Sequence, residues 1–310
     1  MTKQKHIVRG ALLLIAVSAL TSCGKSPSAP AGASGSVDQT LASSAMLVNP
    51  NLVSDDVFGA SSSTATFGAR ANGLSDPAAA INPRFFWRNI TSSTRNITFA
   101  FSDSDSTGRP RQADAVVTRH LMGTFNILKA MPGDSMAFDS THVVHKNLDD
   151  TWVRHLHLVR EVSDDSGHTE WRVVKVSGAL VTSAGATTQI QSLRIQAGSV
   201  DTTITDPLQY WTLARTFAFA AGDSITLTVT TNHTDDVVVG YWHDSRERFR
   251  NNGDGTYTRV LHIHDGDGGY RWCGVNALSH GTLFDDALPY DSNAWLLHCF
   301  IGQRPSGDHF

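Results

Sequence analysis

The chain has 310 residues, 40 % of them apolar, and a formal net charge of −4 at neutral pH. That is enough chain for two domains of ordinary size with a normal core. The mildly acidic balance supplies no basic face for a nucleic acid, so no nucleic-acid partner is expected.

At the N-terminus Lys3, Lys5 and Arg9 precede an apolar run from Gly10 to Leu20, and the small residues Thr21 and Ser22 follow. Charged, apolar and small segments in that order make a secretory signal. The run is about a dozen residues, whereas a helix needs roughly 20 to cross a hydrocarbon core. Residues 1–22 are therefore expected as a signal peptide rather than a permanent span. Leu20-Thr21-Ser22-Cys23 resembles the lipobox of bacterial lipoproteins. The resemblance implies cleavage before Cys23, acylation of its thiol and anchoring in a lipid bilayer. Several acyl chains hold stably, since each buried CH₂ contributes about 0.8 kcal/mol. Gly24 stands where aspartate would signal retention at the inner membrane, so the resemblance implies the outer membrane. The other reading is an ordinary signal with a coincidental cysteine.

Residues 23–45 are rich in Ser, Ala, Gly and Pro and are expected to form a flexible tether. Residues 46–84 mix Ala, Ser, Asn and Asp and define no clear element; a short helix or a cover over the first sheet are both open. From there the apolar residues alternate as in half-buried strands. Ile97, Phe99 and Phe101 share one face, and further rows are Val117, Leu121, Phe125 and Ile127, then Trp152, Leu156 and Leu158, then Val174 and Val176, then Leu193 and Ile195. Turn-forming Gly, Asp, Ser or Pro bound each row. The fold class is mostly β, built of antiparallel β-sandwich domains, the first over 85–205.

Over 206–310 the signals sharpen. Ile225, Leu227 and Val229 alternate with threonines, a second strand runs from Val237 to Trp242, and Asn252-Gly253-Asp254-Gly255 favours a tight hairpin. Tyr257, Arg259, Leu261 and Ile263 share the face of the next strand. The runs AGDSITLTVTT and NNGDGTYTRVLHI, the step Gly269-Tyr270 and the ending GVNALSHGTLFDDALPYDSNAWLL resemble bacterial lipoproteins carrying an immunoglobulin-like domain. That likeness covers about a third of the chain and implies an immunoglobulin-like sandwich, while saying little of function. Cys273 and Cys299 are the cysteines left beside the anchor. In an oxidising compartment they read as one disulfide closing a loop of about 26 residues, worth about 3 kcal/mol; two thiols or metal ligation stay open.

Candidate chemistry is sparse. His155-x-His157 and His262-x-His264 could each turn two imidazoles to one side of a strand and, with a third ligand, hold zinc; histidines lining a wet face are the plainer reading. Asp103, Asp105, Gly108 and Asp114 partly match a calcium loop, against a solvated hairpin turn as the alternative, and the run Asp265–Gly269 reads as a turn. No nucleophile elbow or phosphate loop occurs, and no cofactor is implied. Phe85-Phe86-Trp87, Tyr210-Trp211, Tyr241-Trp242 and Tyr270 with Trp272 offer rings to a glycan or an envelope protein, or simply to packing between sheets. The sequence thus leads to a lipid-anchored, non-catalytic binding or structural module of the envelope, with a zinc hydrolase using a His-x-His pair as the alternative.

Overall fold

The computed structural model describes residues 33–48, 64–66, 79–130, 142–162, 169–212, 217–220, 222–242, 245–263 and 269–302. Cys23 and the signal segment lie outside them. The alternating rows become strands: β1 (Thr64–Thr66), β2 (Pro83–Ser104), β3 (Pro110–Lys129), β4 (Val143–Val162) and β5 (Thr169–Ser183). After them come β6 (Ile190–Ala197), β7 (Val200–Ile204), β8 (Tyr210–Thr212), β9 (Phe217–Phe219), β10 (Ser224–Thr231) and β11 (Val237–Trp242). The chain closes with β12 (Ser245–Arg248), β13 (Arg250–Asn251), β14 (Thr256–His262), β15 (Gly269–Leu278) and β16 (Ser292–Ile301). Helix α1 (Ala33–Val48) precedes the strands, and the five-residue α2 (His280–Phe284) sits between β15 and β16, its Ser279 cap accepting from the Thr282 amide.

Among the described residues, eleven strands form one large sheet whose order is β1-β2-β3-β4-β5-β16-β15-β11-β12, with β8 paired to β5 and β9 to β16. The long antiparallel strands β2 to β5 bend at irregularities near Ile90, Leu156 and Leu158, where an extra residue on one strand raises local twist. At the first of these, a Cβ on Gly123 would stand 1.9 Å from the Asn89 carbonyl oxygen, so glycine alone fits. At the last, Val174 is the extra residue and leaves the row it was expected to share with Val176. The sheet curls until its end strands β1 and β12 touch. The side chains agree: Phe86 and Phe125 from the first strands join one cluster with Val237, Val239 and Leu278 from the last.

The second sheet, in the order β13-β14-β10-β6-β7, packs on the outside of the curl and makes the expected β-sandwich. Ile225, Leu227, Val229, Leu193 and Tyr257 meet Val238, Val275, Trp295 and Leu297 across that interface. The expected boundary between 205 and 206 is corrected here, because pairing crosses it twice: β10 bonds to β6, and β16 bonds to β5. Alternation identifies strands but carries no information on which distant strand each will pair with.

The expected tether over 23–45 is also corrected, since α1 occupies its second half. Asp38, Ala42 and Met46 recur every fourth residue, are buried, and face the sheet, and Ala, Leu and Met favour the helix. In the lead-in 46–84 the described elements are the end of α1, β1 and the first residues of β2.

The curl has a sealed end on either side. At one, α1 packs with Trp171, Val173 and Phe101, and Asp38 accepts from Arg109 (3.0 Å) and from the Trp171 indole (3.4 Å). At the other, Lys146 donates to the carbonyls of Gly281, Asp285 and Leu288 at 2.9, 2.6 and 2.7 Å, pinning the turn that carries α2. Leu283, Phe284 and Tyr290 then fill that end.

Candidate functional sites outside and inside the curled sheet

On the outer face, register brings together residues far apart in sequence. Asp114 on β3 lies opposite His157 on β4, and Tyr210 on β8 pairs with Ser177 of β5. One carboxylate oxygen of Asp114 accepts from the Tyr210 hydroxyl at 3.0 Å and bonds His157 Nδ1 at 2.8 Å. Because a carboxylate accepts, that imidazole donates through Nδ1, which leaves Nε2 as the acceptor of the neutral ring. The rings of His155 and His157 lie 6.2 and 6.1 Å from the Tyr210 ring. Tyr210 stays 36 % exposed while its neighbour Trp211 turns into the sandwich core, so this aromatic pair splits between core and surface. Partial burial and the bond to Asp114 raise the Tyr210 pKa, keeping its hydroxyl a donor.

Among the described residues no three ligating side chains converge as a metal site. His262 lies 3.0 Å from the Ser224 hydroxyl, and His264 is outside the described residues, as are Asp265 to Gly268. The hairpin after β2 is closed by its own chemistry. The Asp105 carboxylate accepts from the Thr107 hydroxyl (2.6 Å), the Thr107 amide (2.8 Å) and the Arg109 amide (3.0 Å) and also pairs with Arg160. Those bonds, the Thr107 hydroxyl first, hold its pKa well below the usual carboxylate range. Asp103 instead accepts from Gln112, so the three aspartates of the calcium-like loop engage different partners.

The expected disulfide is corrected. Cys273 lies opposite Leu297, and Cys299 opposite Arg271, so the cysteines are diagonal neighbours and no bridge joins them. Diagonal positions stand about 7–8 Å apart, beyond the Cα separation of about 4.4–6.8 Å that a bridge spans. Both sulfurs face the sandwich core. Of the other ring clusters, Phe86 packs on Phe125 with centroids 5.3 Å apart, and Tyr241 is buried inside the curl. The side chains of Trp242, Tyr270 and Trp272 are outside the described residues.

Inside the curl, a polar belt separates the two apolar ends. Arg88 donates to the Tyr290 hydroxyl at 2.6 Å and to Ser292 at 3.3 Å, and lies 3.7 Å from Asp150. Tyr290 donates to Asp150 at 3.2 Å, and Ser292 to Asn276 at 2.7 Å. Asp150 is 0 % exposed, and its second oxygen receives no hydrogen bond from the described residues. Burial pushes its pKa up, and Arg88 pulls it back. Arg154 is equally buried, its guanidinium 4.7 Å from the Trp152 ring, and burial pushes its pKa down to about 9. Arg246 lies 5.2 Å from the Tyr241 ring. His298, buried and facing Arg154, has its pKa driven down to about 4, by burial first and by that positive charge second.

Sequence reasoning missed this belt, although a signal was present. Arg154 has the same parity as Trp152, Leu156 and Leu158, and Arg119 the same parity as Val117 and Leu121, so each interrupts an apolar row on its own face. No protein-family model, curated protein or solved structure matches the chain.

Proposed function

We propose that the chain is an exported lipoprotein, held to an envelope bilayer by acyl chains on Cys23, and that its body is a non-catalytic module binding a glycan. The order of charged, apolar and small residues before Cys23 supports the anchor. The likeness of the C-terminal third to immunoglobulin-like domains is consistent with a binding scaffold and names no ligand.

The observation that carries the glycan reading is the exposed Tyr210 ring held beside Asp114 and two imidazoles on a paired sheet. An aromatic face covers the C–H side of a sugar, while a carboxylate and an imidazole nitrogen bond its hydroxyls. Sheet pairing fixes these groups before the ligand arrives, which reduces the ordering cost of binding. Two measurements test the two halves. Mass spectrometry of membrane-extracted protein should find an acylated N-terminal Cys23, and Cys23→Ser should move the protein to the soluble fraction; a chain starting at Met1 overturns the anchor. Binding to purified envelope polysaccharide should fall at least about tenfold in Tyr210→Ala, the scale of a lost aromatic contact of about 1.4 kcal/mol. Equal binding by Tyr210→Ala and the parent overturns the glycan site.

A further inference from the structure

Helix α1 seals one end of the curl with one face and leaves the other uncovered. Asp38, Ala42 and Met46 turn inward, while the opposite side carries Val37, Leu41 and Leu47, which are 41 to 68 % exposed. Among the described residues the other large apolar side chains left exposed are Met122, Tyr210, Val260 and Leu288, each on a different part of the chain. Apolar residues exposed singly are ordinary, whereas three on one short helix make a patch.

At about 100° per residue, Leu47, Thr40, Ser44, Val37 and Leu41 succeed one another across an arc of about 120°. None of the five is charged. The serine hydroxyls on and beside the arc are spent within the helix: Ser44 donates to the Thr40 carbonyl at 3.0 Å, and Ser43 to the Gln39 carbonyl at 2.8 Å. Such back-bonding satisfies a hydroxyl without water, so this face loses little when water is taken from it. The one charged residue of the helix, Asp38, is buried on the other side with Arg109 and the Trp171 indole.

Position along the chain indicates what can cover the arc. Ala33, where α1 begins, follows Cys23 by ten residues, which span at most about 36 Å when fully extended. An acylated Cys23 therefore keeps the start of α1 within that distance of the bilayer. Leu288, by contrast, stands at the other sealed end of the curl.

We propose that the outward arc of α1 lies against the bilayer, so that the helix capping the curl also docks the body on the membrane. This rests on the acylation of Cys23 proposed above. The helix has no lysine or arginine, and its arc is too small to hold a protein on a membrane alone. A short tether changes that, because it holds the helix beside the lipid at an effective concentration on the order of millimolar. Docking is thereby coupled to the anchor, and the α2 end of the curl points away from the lipid.

The full mature chain, purified with its acyl chains, is reconstituted into vesicles of phosphatidylethanolamine and phosphatidylglycerol that carry a photoactivatable diazirine in the lipid tails. After illumination, fragmentation mass spectrometry locates the lipid adducts, and the intact mass reports whether Cys23 is acylated. Adducts are expected on α1 between Val37 and Leu47. Their yield should fall at least about tenfold in the combined Val37→Asp, Leu41→Asp and Leu47→Asp variant, since a carboxylate resists transfer toward hydrocarbon. All three side chains already stand in water, so the variant keeps its fold; should its melting temperature drop, Leu47→Asp alone, at the most exposed of the three positions, should still lower the yield. In Cys23→Ser, added to the same vesicles, the adducts on α1 should disappear. Acylated protein whose α1 carries no more adducts than Val260 on β14 overturns the docking and leaves the anchor standing, as do aspartate variants that label like the parent. An unmodified Cys23 overturns the anchor, and the docking with it.

Discussion

The strands β5, β16, β15 and β11 face an apolar sandwich core on one side and, on the other, a curl whose two apolar ends are divided by a polar belt. Toward the sandwich they present Leu180, Trp295, Leu297, Val275 and Val238, and these meet an aliphatic sheet in which the Tyr257 hydroxyl is accounted for by the His233 carbonyl at 3.1 Å. Toward the curl the same strands present Ser292, Asn276, Tyr241 and His298, beside Arg88, Asp150 and Arg154 of β2 and β4. Placing ions in a protein interior costs several kcal/mol each, and paired ions recover that only with good geometry. A chain able to fill one face of these strands with aliphatic residues needs no arginine on the other for stability. The contrast teaches that the sandwich is scaffold, and that the polar belt answers to a demand other than folding.

Substitutions can break or sharpen that contrast. The largest effect is expected for Asp150→Ala, which leaves Arg88 buried without its carboxylate and should cost about 3–5 kcal/mol in urea unfolding. A loss below about 1 kcal/mol would mean that the belt is already hydrated.

Next in size are two opposed pH effects, one from each interior. His298 has a folded pKa of about 4 against an ordinary 6.5, so the unfolded chain takes up its proton first, and stability is lost as pH falls from 6.5 to 4. Asp236, buried at the sandwich rim beside Thr188, has its pKa raised by burial to about 6 from 3.8. The folded chain keeps that proton longer, so its stabilising contribution is present below about pH 4 and is lost as pH rises through 6. Each amounts to about 1–3 kcal/mol. Melting temperature followed from pH 4 to 7 should rise more steeply with pH in Asp236→Asn than in the parent, and the rise should flatten or reverse in His298→Gln. Parallel profiles for all three proteins would remove both assignments. The smallest effect is expected in the sandwich core, where Ile225→Val should cost about 1 kcal/mol with no change in pH dependence.

The sequence makes the strands legible because alternation reports burial on one face. Trp152, Leu156 and Leu158 are indeed buried together, and Asn252 to Gly255 does make a tight connection, with Gly253 and Gly255 at φ 86° and 85°. Pairing between distant strands was not legible, since nothing local in β5 specifies β16 as its neighbour. Helix α1 was hidden because Ser and Ala content reads as linker until Asp38, Ala42 and Met46 find a surface to cover. The outer site was half legible: His157 and Asp114 were each noticed for separate reasons, and only register showed that they touch and that Tyr210 joins them. Arg119 and Arg154 were visible as interruptions in apolar rows, but that these rows face the inside of a curl was not.

The contrast between the two interiors requires that the belt's charges lie out of water while the middle of β2 stays open. Phenylglyoxal modification of the native protein, mapped by mass spectrometry, tests this directly. Arg95, which is exposed, should react, and Arg88 and Arg154, which are buried, should stay unmodified until the chain unfolds. Modification of Arg88 or Arg154 as fast as that of Arg95 would contradict it.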